Sequence, residues 1–186
     1  MKSKLGHIAS IQTGIFAKPQ AMGEVVYLQA KHFNESGWLK NELYPDLKAD
    51  NVNKKHLLRP GDVLFAAKGA NNFATCYDSI NQPAVASTSF FVLRIENDSI
   101  IPEYLAWLIN HPVTQKYLKA NALVSSIASI SKAVLEELEI SMPSIKIQKT
   151  ILNISALRKL ELGIKQQIEE LQEQKIQYQL IKSTQL

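Results

Sequence analysis

The chain has 186 residues, of which 46% are hydrophobic and 20% charged, enough for a sizeable core and too apolar for a disordered chain. The net charge of +4 and a pI near 9.1 allow a nucleic-acid partner without requiring one. A single cysteine, Cys76, excludes an internal disulfide, and neither a signal-peptide core in residues 1–7 nor a run of transmembrane length is found, so a cytoplasmic protein with no membrane partner is expected.

In chain order, residues 5–12 read as a strand or short helix ended at Thr13-Gly14. The β-branched and aromatic run 25–29 predicts a strand. Residues 31–39, with Asn34 and Gly37, form a loop that passes into a short strand at 38–40, and 41–55 is polar with no period. A Pro60-Gly61 turn then feeds an apolar strand, Lys68 to Asn72 form a tight polar loop, and 74–77 run back antiparallel. Two further strands follow at 83–86 and 89–95. Pro102 opens a helix with Tyr104, Leu105, Leu108 and Ile109 on one face, and Pro112 opens a second. The uncharged stretch 122–130 carries Ser125, Ser126 and Ser129. Ser131 is placed to cap a turn of helix at 132–137, and 138–142 alternate as a last strand. The class is α+β, with a mainly antiparallel or mixed sheet and short helices in a globular domain over 1–143.

Residues 144–186 predict one long helix. Apolar residues recur there at steps of three or four, with one gap of seven between Leu171 and Tyr178, and a heptad seam runs through Ile154, Leu157, Glu161, Ile164, Ile168, Leu171, Lys175 and Tyr178. A helix of roughly 39 residues is about 58 Å long, and the chain holds no second helix of that length to cover its stripe. A partner is therefore expected, either a second copy or another protein. Charge divides along the same line: residues 1–145 hold 14 basic and 13 acidic side chains, residues 146–186 hold 7 and 4.

Catalytic patterns are absent. His7, His32, His56 and His111 are far apart, no glycine-rich phosphate loop or nucleophile elbow occurs, and Pro45-Asp46 lacks the downstream acidic and lysine residues of a nuclease site. No cofactor or metal is expected. Binding groups are more plentiful in the loops: Lys31, His32, Asn34, Lys68, Asn71, Asn72, Thr88, Ser125, Ser126, Ser129 and Lys132. Asparagine suits adenine edges, lysine suits guanine, and serine suits phosphates.

Three segments together resemble the specificity (S) subunit of type I restriction–modification enzymes. Leu5-Gly6-His7-Ile8-Ala9-Ser10-Ile11-Gln12-Thr13-Gly14 is similar to the start of that family's target recognition domain. Leu58-Arg59-Pro60-Gly61-Asp62-Val63-Leu64-Phe65 is similar to its Pro-Gly-Asp strand. The run from Ser131 through Leu138 to Pro143, with Gln148 and Ile151 beyond, resembles the exit into its spacer helix. Two departures are visible: serines stand at Ser125-Ser126 where the family usually has a glycine, and Lys146-Ile147 precede Gln148 where an acidic residue is common.

The resemblance implies a half-length form, with one recognition domain and one spacer helix. It implies a non-catalytic subunit that binds double-stranded DNA; from their place in the loops, Lys68, Asn71 and Asn72 at the tip of the expected hairpin are the first candidates for groove contacts, with Lys31, His32, Ser125, Ser126 and Lys132 for flanking base or phosphate contacts. Two copies would pair antiparallel through Ile154, Leu157, Ile164, Ile168, Leu171 and Tyr178 and present two readers to a bipartite, inverted-repeat target. The paired helices would dock methyltransferase (M) subunits and, through them, restriction (R) subunits. The alternative is a protein–protein adaptor that uses the coiled coil and binds no DNA. A small nuclease is the third reading.

Overall fold

The computed structural model describes residues 1–34, 37–69, 71–78, 83–122 and 129–184. The chain divides into two compact units, Met1–Gln148 and Lys149–Leu186. The first is α+β, as the order of its elements predicts.

Its centre is a four-stranded antiparallel sheet in the order β2 (Ala9–Thr13), β7 (Phe90–Ile95), β4 (Val63–Ala66), β5 (Ala74–Cys76). Phe65 is paired with Phe91 on one side and Ala74 on the other, which fixes the register of the middle strands. Gly61, at φ 87°, makes the turn into β4 and donates its N–H to Tyr77 O at 3.0 Å, extending the β4–β5 hairpin backwards. On its outer side β5 is closed by a side chain. The Asn110 amide donates to Ala74 O and accepts the Ala74 N–H, both at 2.7 Å, so the backbone of Ala74 is fully paired there.

Beside this sheet, β3 (Val26–Leu28) and β6 (Ala84–Ala86) form a parallel pair in which all six residues are buried. Burial on both faces explains the unbroken apolar composition. Val26, Leu28, Ala84 and Ala86 face Phe33, Leu64, Phe73 and Phe90. Val25, Tyr27 and Val85 face the other way, onto Leu47, with Ile15, Ala17, Val52 and Leu57 around them.

The third sheet joins the ends of the unit: β1 (Lys2–Lys4) pairs antiparallel with β8 (Glu139–Ser141), and Lys2–Glu139 and Lys4–Glu137 ion pairs flank it on the surface. Short 3-10 turns form at Leu5–His7, where the expected strand or short helix of 5–12 divides into a turn and β2, at Ala30–His32 after β3, and at Ala49–Asn51 and Lys54–His56 in and just beyond the polar stretch without a period. In α1 (Pro102–Asn110), Tyr104, Leu105, Ala106 and Ile109 are buried, whereas Leu108 is only half-buried. α2 (Pro112–Ala120) and α3 (Lys132–Glu136) follow, the latter capped by Ser131 Oγ accepting the Val134 N–H at 3.3 Å.

One expected strand is not formed. Residues 38–40 contribute a single bridge, Leu39 to Phe33, because Asn34 closes the chain into a turn: its side chain accepts the Trp38 N–H at 2.9 Å and its carbonyl accepts the Gly37 N–H at 3.0 Å. Trp38 is left exposed.

α4 runs without interruption from Ile145 to Thr184, 40 residues or about 60 Å. Its first turn belongs to the compact unit. There Gln148 is fully buried, donating to Ser99 O and Pro143 O, both at 2.8 Å, and accepting the Ile101 N–H at 2.9 Å.

Candidate nucleic-acid interface

The strands of the compact unit bring the ends of five segments to one place. β2 finishes at Thr13 opposite Phe91, and β4 finishes at Ala66 opposite Phe90. Beyond the strands, backbone bonds tie the loops together. The Ala67 N–H donates to Ser89 O (2.9 Å), Ile130 N–H to Ala67 O (2.9 Å), Ser87 N–H to Leu28 O (2.8 Å) and Gly14 N–H to Phe90 O (3.0 Å). Beneath them sits a triangle of rings: Phe33–Phe73 and Phe33–Phe90 with centroids 5.6 Å apart, Phe73–Phe90 6.0 Å apart. Each ring comes from a different loop or strand, so the apolar contact positions the turns that carry the polar residues.

Several of the sequence-predicted residues meet here. Lys68 follows the Ala67 tether, is exposed, and bridges to Ser129. Asn71 is exposed. Asn72 is half-buried, and its amide nitrogen donates to Ala66 O at 2.9 Å, so part of that side chain holds the loop in shape. Lys31 is exposed on the turn after β3. His32 beside it accepts the Gln29 N–H on Nδ1 at 3.3 Å, which places its proton on Nε2. Burial, and then the neighbouring Lys31 charge, hold the His32 pKa below its ordinary value, so the ring is neutral at pH 7.

Lys132 stands two residues beyond the Ile130 tether. It opens α3, and its ammonium pairs with Glu136 of the same helix at 3.4 Å. Ser125 and Ser126 lie outside the described residues.

The opposite end of the sheet is built from bonded charge. Asp62, 2% exposed, takes Arg94 Nε at 2.8 Å and Nη2 at 2.6 Å, a bidentate pair, and also accepts the Arg59 N–H at 2.8 Å. Arg94 donates onward to Leu57 O at 3.1 Å. The pair was legible in principle: an acid directly after Pro60-Gly61, and a lone arginine in the apolar run of β7. A cleft of about 650 Å³ opens beside it, lined by Arg59, Glu96 and Asp98 together, a mixture that favours neither anion nor cation.

Among the described residues no cluster of three or more His, Cys, Asp or Glu side chains is placed to hold a metal ion. His111 accepts the Val113 N–H at the start of α2 and packs at a tilt against Trp107, ring centroids 5.5 Å apart. Burial, with Glu103 and Asp78 nearby, pushes the Cys76 thiol up to about 12, far from the thiolate a nucleophile needs.

In the second unit, Ile154, Leu157, Ile164, Ile168, Leu171 and Tyr178 are all exposed, as is every residue from 156 to 184. Glu161 is held within its own helix, between Arg158 and Lys165 at 2.7 Å each, and Lys165 first, then Arg158, lower its pKa. Leu162 and Ile176 are exposed off the seam.

The family model for the type I restriction modification DNA specificity domain matches residues 1–172. No curated protein sequence matches the chain. Among solved structures, the S subunit of a type I restriction–modification system from M. genitalium superposes with a TM-score of 0.60 at 15% identity, over 88% of this chain and 40% of that one. The HsdS subunit from Thermoanaerobacter tengcongensis gives 0.61 at 16% identity, over 88% and 38%. A chain from a structure of type I R-M complex assembly and conformational transition gives 0.59 at 16%, over 88% and 39%. At these identities the likeness is one of fold. The chain spans about two fifths of the length of these solved chains.

Proposed function

The chain belongs to the type I restriction–modification DNA specificity family, and on that premise we propose that it is a half-subunit which reads DNA sequence and performs no chemistry of its own. The compact unit is the target recognition domain and α4 the spacer. The observation that carries the reading is the gathering of Lys31, His32, Lys68, Asn71 and Asn72 around the Phe33–Phe73–Phe90 triangle. These polar groups stand on a rigid apolar base, which is how a reader keeps its side chains in register with base edges. Ser125, Ser126 and Lys132 are assigned flanking contacts, Lys132 to phosphate.

Along α4, a row of exposed isoleucines and leucines is more apolar surface than a lone helix presents to water without a partner. Two copies pair antiparallel through it, and each holds one reader over one half of a bipartite target. The same paired helices bind methyltransferase subunits, which carry the restriction subunits, and the assembly works in the cytoplasm.

The test is methylation mapping in a host that carries this chain with its methyltransferase, joined to light scattering of the purified chain. A bipartite inverted-repeat motif and twice the 20.9 kDa chain mass are expected. Ile164→Glu or Ile168→Glu should return the mass to one chain; an unchanged mass would move the pairing surface elsewhere.

One observation favours a second reading, an adaptor that binds no DNA: residues 1–145 are nearly neutral, with 14 basic and 13 acidic side chains. Binding to mixed-sequence duplex in the presence of the methyltransferase separates the two, since a DNA reader loses affinity steeply as salt rises.

A further inference from the structure

Phe16 is 78% exposed, the most exposed aromatic side chain among the described residues. It serves no core, yet the backbone on both sides of it is hydrogen-bonded. The buried Tyr27 hydroxyl donates to Ile15 O at 2.9 Å and accepts the Ala17 N–H at 3.3 Å, so the residues on both sides of Phe16 are clamped by one group. Ile15 also donates its N–H to Ala86 O at 2.8 Å and runs parallel to Ser87, which brings Phe16 level with Thr88 in the turn between β6 and β7. The approach needs a glycine before it: a Cβ on Gly14 would lie 2.1 Å from Ser87 O. The backbone that carries the ring is thus held in place, with the ring in water, at the end of the compact unit where the turns after β3 and β4 expose Lys31, Lys68 and Asn71.

Fixing the backbone on both sides of an exposed phenyl ring is wasteful unless something apolar arrives there. Of the groups a duplex offers in the major groove, the thymine 5-methyl is the apolar one, and phenylalanine has no polar atom with which to read anything else. We infer that Phe16 is a specificity-determining residue that packs on the 5-methyl of one thymine in each half-site. The inference rests on the DNA-reading proposal above and extends it from polar to apolar contacts. Preorganisation is what makes so small a contact useful, because little freedom is lost when the methyl docks.

The experiment uses the full chain with its methyltransferase. A duplex is first selected from a randomised library, then each thymine in its half-site is replaced in turn by deoxyuridine, which removes only the methyl. The wild-type protein should lose about fourfold in affinity at one thymine position, the worth of one buried methyl. Phe16→Ala should bind thymine and deoxyuridine duplexes equally at that position, Phe16→Leu should retain part of the difference, and thermal unfolding of both variants should match the wild type. A deoxyuridine penalty of the same size in Phe16→Ala, or a half-site in which no thymine methyl matters, overturns the assignment. If the wild type does not prefer the selected duplex over a scrambled one, the DNA-reading proposal falls and this one with it; a clear preference without thymine coupling removes Phe16 alone.

Discussion

At the end of the four-stranded sheet where β4 begins and β7 finishes, the polar groups are buried and bonded to one another: Asp62 to Arg94 and the Arg59 N–H, with Gln148 bonded to Ser99, Pro143 and Ile101 nearby in the compact unit. At the end where β4 finishes and β7 begins, Lys31, Lys68 and Asn71 are exposed above a packed set of rings. The first arrangement holds a frame and the second presents groups to a visitor. Two of the motifs that carry the family resemblance, Pro60-Gly61-Asp62 and Gln148, lie in the first. What makes the chain recognisable is therefore its scaffold: the motifs at residues 5–14 and 58–65 run along β2 and β4, and the proposed reading groups stand on the loops beyond the strand ends.

This contrast can be broken most sharply at Asp62. Arg94→Leu should destabilise the compact unit by about 3 kcal/mol, because it leaves a buried carboxylate with one backbone donor and no counter-charge. Chemical denaturation measures it, and a loss under about 1 kcal/mol would mean that the pair is not part of the frame. Gln148→Ala should cost about 1–3 kcal/mol in the same assay, since the Ile101 N–H loses its buried acceptor.

At the presenting end the effects on folding should shrink while those on binding grow. Asn72→Ala should cost about 1 kcal/mol of stability through its bond to Ala66 O. Asn71→Ala should leave stability unchanged and relax preference at one base pair by about 1–3 kcal/mol in competition binding. Equal loss on every DNA sequence would remove Asn71 from the reading role.

His32 offers a pH test. Its folded pKa lies below the unfolded value near 6.5, so the neutral ring adds stability that is present above that pH and is lost as pH falls through the folded pKa. Thermal unfolding should weaken between about pH 7 and 5, and His32→Gln should flatten that slope. The smallest effect lies in the other unit. A Cβ added to Gly163 would meet no atom within 4 Å, so Gly163→Ala should stabilise α4 by up to about 1 kcal/mol, read by helix content on heating.

Element order and type were legible because local chemistry sets them. Proline at Pro102 and Pro112 starts helices, Ser131 caps one, and the three-to-four spacing after Pro143 gives a helix that runs from Ile145 to Thr184. The segment 38–40 departs from the expected strand because its apolar residues suit one, while the Asn34 side chain offers the backbone a local turn instead. Nothing near Lys2 indicates that its strand partner is Ser141, and nothing near Phe33 indicates that it meets Phe73 and Phe90. The candidate residues could be named one by one, but their association could not.

By itself the sequence determined the α+β class, the long helix and its apolar row, since periodicity, capping and turn chemistry act over a few neighbouring residues. Only the tertiary structure decided that Asp62 is spent on Arg94, that Tyr27 clamps both sides of Phe16, and that the turns after β3 and β4, which carry Lys31 and Lys68, meet over one set of rings. Those outcomes depend on contacts between residues at least 10 positions apart, whose pairing is set by the packing of the whole core: residue type marks Asp62 and Arg94 as needing partners but does not say which.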